Sequence, residues 1–177
     1  MSVAGTQHPA LLALARLKDL LVRLLNGGLI LAVGVLVVDV LWGVATRYLM
    51  GEQSSWTEEL ARMLLIWVVL LGSAAAYGGR EHLGLDYFVE RMDAVSRKRV
   101  AVMTDLIVLF FAVAVLLVGG YRLVNETFQL GQMLMALGIG KGFVYLAVPV
   151  SGAFFVLFGV ESLLETVWGT PRQGVRD

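Results

Sequence analysis

The chain alternates long apolar stretches with short polar ones. Four stretches contain no charged residue: residues 24–38, 63–79, 106–121 and 142–160. With its flanks, each is long enough, at about 1.5 Å per helical residue, to cross a hydrocarbon layer of about 30 Å. The pattern therefore predicts an all-α integral membrane protein with four transmembrane helices, at about residues 24–46, 56–79, 100–121 and 142–168.

The segment before the first span has a helical pattern of its own. Leu14, Leu17, Leu21 and Leu24 recur every three or four positions, and the basic residues occupy other faces. We expect residues 1–23 to form a cytoplasmic amphipathic segment that lies on the membrane and runs directly into the first span. The apolar run that follows is longer than the roughly 7–15 residues of a signal-peptide core, so we expect a span and not a cleaved leader.

A second amphipathic segment lies between the second and third spans. Residues 80–99 are too polar to cross a membrane, yet Leu85, Phe88 and Met92 follow helical spacing. This pattern predicts a short helix at about residues 84–96 that lies along the membrane interface. The alternative is an ordinary solvated loop.

Local signals predict where the later helices begin, bend and end. Ser55 is followed three residues later by Glu58, which is typical of a capping box at the start of the second span. Pro149 is expected to kink the fourth span because it removes a backbone donor. Residues 122–141 are expected to form a linker, and residues 169–177 a polar cytoplasmic tail.

Composition supports the membrane assignment and excludes several other classes. Hydrophobic residues make up 58% of the chain and charged residues 16%, against about 45–50% and about 25% in soluble domains. The net charge is zero, so the chain has no general attraction to nucleic acid. The apolar composition instead predicts that membrane lipid surrounds it. The absence of Cys excludes disulfides and thiolate metal sites.

The distribution of Lys and Arg predicts the orientation. Ten of the 14 basic residues fall in the N-terminal segment, in the loop after the second span or in the C-terminal tail. Because such residues accumulate on the cytoplasmic side, we expect both termini to be cytoplasmic.

The intramembrane acid Asp39 is the clearest single candidate for chemistry, because an ionisable group inside a span is a functional hypothesis by default. It could couple transport to protons or cations, or it could simply pair with Arg62 or accept a hydrogen bond inside the protein.

Glu58, Glu59 and Arg62 have the spacing of a helix-start cap with a surface ion pair. Only two histidines exist and neither lies in a span, which argues against a haem anchor and a catalytic triad.

The second span and its flanks carry a specific run of residues. They are Arg47-Tyr48, Ser55-Trp56-Thr57-Glu58-Glu59-Leu60-Ala61-Arg62, Ile66-Trp67, Leu71-Gly72-Ser73-Ala74, and His82-Leu83 with Asp86. This run resembles the signature of the small permease subunit (DctQ-type) of tripartite ATP-independent periplasmic (TRAP) transporters. A weaker similarity covers about residues 24–165 and departs at Gly138-Ile139-Gly140, where the family commonly has proline.

The resemblance implies a four-span scaffold in the bacterial inner membrane. Its partners would be a large multi-span permease subunit and a periplasmic substrate-binding protein, with sodium gradients driving uptake of a solute that is usually an organic acid. We expect no enzymatic activity and no cofactor. The resemblance implies that sodium coupling takes place in the large subunit. We expect structural or partner-interface roles for nine residues: Asp39, Glu58, Glu59, Arg62, Trp67, His82, Asp86, Phe88 and Met92.

Two other classes of function remain open from the residues alone. A stand-alone four-helix exporter would use Asp39 as its proton-coupled site and would transport without a partner. A quinone or haem anchor of a respiratory enzyme is a third class, and the missing span histidines count against it.

Overall fold

The computed structural model describes residues 9–52, 54–79 and 94–168. The helices are α1 (Pro9–Met50), α2 (Ser55–Gly79), α3 (Ala94–Phe111), a π-helical segment (Ala112–Gly119), α4 (Gly120–Gln129), α5 (Lys141–Tyr145) and α6 (Ala147–Trp168). Two short antiparallel strands, β1 (Met133–Leu134) and β2 (Ile139–Gly140), form a hairpin between α4 and α5.

The four predicted spans are present. Stretches long and apolar enough to cross a membrane are Leu20–Met50, Ser55–Gly79, Lys98–Gln129 and Lys141–Leu164. The third consists of α3, the π-helical segment and α4 in direct succession. The prediction of an all-α membrane protein with four spans is confirmed.

The first helix shows no break at residue 23, where the predicted surface segment meets the predicted span. It continues from Pro9 to Met50 as one helix of 42 residues. From Leu25 to Gly43, every position that is not exposed falls on one line, spaced alternately by four and three residues: Leu25, Leu29, Ala32, Leu36, Asp39 and Gly43. This 3.5-residue period is that of a coiled-coil seam, and α2 packs against it. That the first residues lie on the membrane surface stays a prediction.

The third span is longer than predicted, because residues 122–129 are helical and not part of a linker. The helix ends at Gln129, just before Gly131, whose φ of 60° glycine adopts without steric strain. The Gly131 N–H donates to the Phe128 carbonyl at 3.1 Å, and the Gln132 N–H donates to the Thr127 carbonyl at 3.4 Å. These two bonds form a Schellman motif, so the helix stops at this glycine and not at the polar residues before it.

Pro149 disturbs the fourth span one turn before itself. Because proline has no N–H, nothing can donate from this position to the carbonyl of Tyr145, four residues earlier. The helix is interrupted there: α5 ends at Tyr145 and α6 begins at Ala147. Hydrogen bonds from the Leu146 and Val150 amides, at 3.0 and 3.2 Å, bridge the interruption.

The predicted interfacial helix at residues 84–96 lies almost entirely outside the described residues. The part of the chain that the structure describes resumes at Ala94, where α3 begins. The roles expected for His82, Asp86, Phe88 and Met92, and the polar tail expected at residues 169–177, therefore stay predictions.

Candidate functional site

Most of the buried polar side chains among the described residues lie toward the two ends of the bundle, and Asp39 and Ser151 lie between them. We call the end that holds the start of α1 and the end of α6 the terminal end. The opposite end, where α2 begins and the β-hairpin lies, is the hairpin end.

At the hairpin end, α2 begins differently from the predicted capping box. Ser55 is already the first helical residue, and Glu58 pairs with Arg62 instead of turning back to Ser55. The Ser54 carbonyl accepts bonds from the Thr57 N–H at 3.2 Å and from the Thr57 hydroxyl at 2.6 Å. The capping-box prediction is therefore wrong, although the predicted start of the helix is correct to one residue.

Glu59 ties the second span to the β-hairpin. Its Oε2 atom accepts hydrogen bonds from the backbone N–H groups of Ala136 and Leu137, both at 3.0 Å. These two residues lie in the turn between β1 and β2, almost eighty residues further along the chain. Hydrogen bonds to an ionised acceptor are stronger than neutral ones, so this carboxylate fixes the position of the hairpin tip. Met135, at that tip, is 94% exposed.

The neighbouring acid makes only a surface contact. Glu58 accepts a bond from Arg62 at 2.7 Å, and about two-thirds of each side chain is exposed, at 66% and 67%. The i,i+4 spacing matches the predicted surface ion pair. Such exposed pairs contribute only about 0.2–1 kcal/mol.

We expect Glu59→Ala to loosen the hairpin tip, whereas Glu58→Ala leaves it unchanged. Removing the Glu59 carboxylate leaves the N–H groups of Ala136 and Leu137 without their acceptor, a loss of about 1.5–3 kcal/mol for bonds to a charged group. Amide hydrogen exchange at these two residues measures the effect, and Glu58→Ala is the matched control. Equal exchange rates in the two variants would contradict this role for Glu59.

Asp39 does not make the predicted contact with Arg62. It is 4% exposed and sits on the α1 seam, yet neither carboxyl oxygen has a hydrogen-bond partner among the described residues. Arg62, its predicted partner, is engaged by Glu58. The predicted pairing is wrong because Arg62 lies on the exposed side of α2 and Asp39 faces into the contact between α1 and α2.

The terminal end contains a buried hydrogen-bond network. Asp105, 7% exposed on α3, accepts a bond from the Tyr77 hydroxyl at 3.2 Å and one from the Ser162 hydroxyl at 2.9 Å. Tyr77 is on α2 and Ser162 is on α6, so one carboxylate connects three spans.

An ion pair beside this network includes the remaining span. The Lys18 ammonium on α1 lies 2.8 Å from Glu161 Oε2 on α6, and both side chains are nearly buried. The two atoms do not meet the geometry of a hydrogen bond, so the contact is an ion pair without a hydrogen bond. We call Lys18, Tyr77, Asp105, Glu161 and Ser162 the polar layer. The sequence pattern did not predict this layer. The available signal was the presence of Asp105 and Glu161 within predicted spans.

Trp67 lines an apolar groove between α1 and α2. The groove has a volume of about 460 Å³, and Phe154 of α6 also lines it. The Trp67 indole Nε1 is buried and has no hydrogen-bond partner among the described residues. The other lining residues are Leu21, Leu24, Leu25, Gly28, Leu29, Ala32, Met63, Leu64, Val68 and Leu71.

The described acids at the two ends contact groups on other parts of the chain and do not cluster with one another. Within residues 9–52, 54–79 and 94–168, the structure brings together no group of three or more metal-binding side chains. The acids at both ends instead hold backbone or side-chain groups of other helices in place.

Comparison with known proteins agrees with the pattern in the second span. A family model described as "Tripartite ATP-independent periplasmic transporters, DctQ component" matches residues 36–168. The sialic acid TRAP transporter small permease protein SiaQ of Vibrio cholerae is 28% identical over 122 residues, which is 69% of each chain. The ectoine TRAP transporter small permease protein TeaB of Halomonas elongata is 25% identical over 144 residues, covering 78% of this chain and 71% of that one.

A third relative is much longer. The sialic acid TRAP transporter permease protein SiaT of Haemophilus influenzae is 28% identical over 128 residues. The match covers 71% of this chain but only 20% of that protein.

Proposed function

Because the chain belongs to the DctQ component family of the tripartite ATP-independent periplasmic transporters, we propose that it is a scaffold for a large permease subunit. In this proposal the complex takes up a small solute delivered by a periplasmic binding protein, and a sodium gradient drives the uptake. The relative SiaT supports the partnership, since the part similar to this chain is only 20% of one longer permease protein.

The observation that carries the scaffold role is how the ionisable groups in the spans are used. Asp105 and Glu161 bind groups on neighbouring helices at the terminal end. Asp39 is separated from them along α1 and sits alone in a helix contact. An ion pathway needs a succession of polar groups through the membrane. In the described spans Asp105 and Glu161 instead contact groups on other helices, and Asp39 lies apart from both.

The solute is proposed to be an organic acid or a related small molecule. The names of two relatives give sialic acid as their solute and that of a third gives ectoine, so the family members similar to this chain serve more than one solute. Recognition of the solute is assigned to the other two components.

We further propose that the complex lies in the bacterial inner membrane with both termini cytoplasmic, on the basis of the ten-to-four distribution of basic residues. The chain has no native Cys, which allows direct labelling. A membrane-impermeant thiol reagent should label Met135→Cys in intact cells and should leave Arg99→Cys unlabelled until the cells are opened. Labelling in the reverse order would invert the proposed orientation.

Uptake measured in reconstituted vesicles tests the scaffold role. The large subunit with its binding protein should require this chain for sodium-dependent uptake, and this chain alone should transport nothing. The Asp39→Asn variant should leave the sodium dependence of uptake unchanged in assembled complexes. Transport by this chain alone under a proton gradient, lost in Asp39→Asn, would instead support the exporter alternative.

A further inference from the structure

Two buried groups of complementary chemistry lie unpartnered in the same helix contact. Asp39 on α1 offers a carboxyl group that can accept a hydrogen bond, and Trp67 on α2 offers the indole N–H donor. Neither has a partner among the described residues. A buried polar group that makes no hydrogen bond is strongly unfavourable, most of all within a membrane, where no water substitutes for the partner.

The register of the two helices places these groups near each other. Leu29 contacts the position of Gly72, and the Thr46 hydroxyl lies 3.5 Å from the Ser54 amide. These contacts, one near each end of the helix pair, show that α1 and α2 run antiparallel. They place Trp67 opposite residues 33–34 of α1. Trp67 is therefore only about 8 Å, measured along the helix axis, from the level of Asp39.

The direction of the side chains shortens this offset. In a helix, each side chain is tilted toward the N-terminus of its own helix. Because α1 and α2 are antiparallel, Asp39 leans toward the terminal end and Trp67 leans toward the hairpin end. The carboxyl group and the indole are therefore directed toward one another along the contact. Asp39 lies on the α1 seam and Trp67 lines the groove beside it, so both lie on the facing sides of the two helices.

We propose that Asp39 and Trp67 form a hydrogen-bond latch between the first and second spans. In the structure the two groups are not bonded to each other. The latch closes when the indole Nε1 donates to the Asp39 carboxyl group, and this closure narrows the hairpin-end side of the groove. Asp39 then has a positioning role, fixing how α1 lies against α2, and no role in ion transport. The inference concerns the chain itself and does not depend on the proposed solute or partner.

A double-mutant cycle in the full-length chain, reconstituted in lipid, tests the latch. Trp67→Phe removes the donor and keeps an aromatic ring, and Asp39→Leu removes the acceptor. If the two side chains are bonded, the thermal midpoint of the double variant should fall no further than that of the more damaging single variant. Additive losses would overturn the proposal. Trp56→Phe combined with Asp39→Leu is the matched control and should give additive effects, since Trp56 is exposed at the start of α2.

A spectroscopic measurement keeps the test decisive if a variant folds poorly. With Trp42, Trp56 and Trp168 changed to Phe, Trp67 is the only tryptophan left. Its emission should move to shorter wavelength on Asp39→Leu, because the indole loses a hydrogen bond, and should move less on Asp39→Asn, which retains an acceptor. Identical emission in all three backgrounds would also overturn the latch.

Discussion

Replacing Lys18 with Met is expected to destabilise the membrane domain by about 3–5 kcal/mol, because it leaves a buried carboxylate without its counter-charge. Glu161 is 3% exposed, and Lys18 is the only described cation within ion-pair distance of it. The ion pair also joins the beginning of α1 to the end of α6, two helices that otherwise touch little. Its loss should therefore also free the start of α1.

The size of the effect should depend on which partner remains. In the double variant Lys18→Met with Glu161→Met, no charge is left buried, and much of the stability should return, since apolar replacements of buried pairs are often neutral or stabilising. Arg62→Met is the matched control. It breaks an exposed ion pair at the hairpin end whose N–O distance, 2.7 Å, is close to the 2.8 Å of the buried pair. Unfolding in mixed micelles measures all three. A loss in Lys18→Met as small as that in Arg62→Met would show that the Glu161 carboxylate is solvated.

The apolar pattern was sufficient to predict the four spans, because a hydrocarbon layer requires a minimum length of uncharged helix. The predicted second span, residues 56–79, differs from the observed helix Ser55–Gly79 by one residue. The end of the third span was not predictable from the same pattern. Arg122 and Glu126 interrupt the apolar run, whereas the helix itself ends only where Gly131 adopts a positive φ.

The pairing of polar groups was harder to predict than the spans. Sequence spacing identifies neighbours on one helix, and it correctly indicated the contact of Glu58 with Arg62. It does not identify which helices are adjacent or how they are rotated. The bond from Glu59 to the hairpin and the connection of Tyr77 to Asp105 join residues far apart in sequence. Asp39 and Arg62 lie at a similar level along the two antiparallel helices, as predicted. Arg62, however, is on the exposed face of α2 and not on the face that packs against α1.

Close packing between the third and fourth spans is a further feature that composition alone does not reveal. A Cβ atom added at Gly152 would lie 2.7 Å from the Leu116 Cβ and 3.2 Å from the Leu116 carbonyl carbon. Leu116 lies in the π-helical segment, so α6 packs directly on that backbone. Contacts below 3 Å cannot be relieved by a rotamer change when the obstructing atoms are backbone and Cβ, so the helices themselves have to separate.

Gly152→Ala is therefore expected to destabilise the bundle by about 1–3 kcal/mol, the usual effect of overpacking a well-packed contact. Gly34→Ala is the matched control, because the added Cβ there meets nothing within 4 Å. Since alanine favours a helix over glycine by about 0.5–1 kcal/mol, the control should be neutral or stabilising. The two identical substitutions are thus expected to change the unfolding midpoint in opposite directions. Equal shifts in the two variants would show that α6 can move away from the π-helical segment without loss, and that the close approach at Gly152 does not hold the third and fourth spans together.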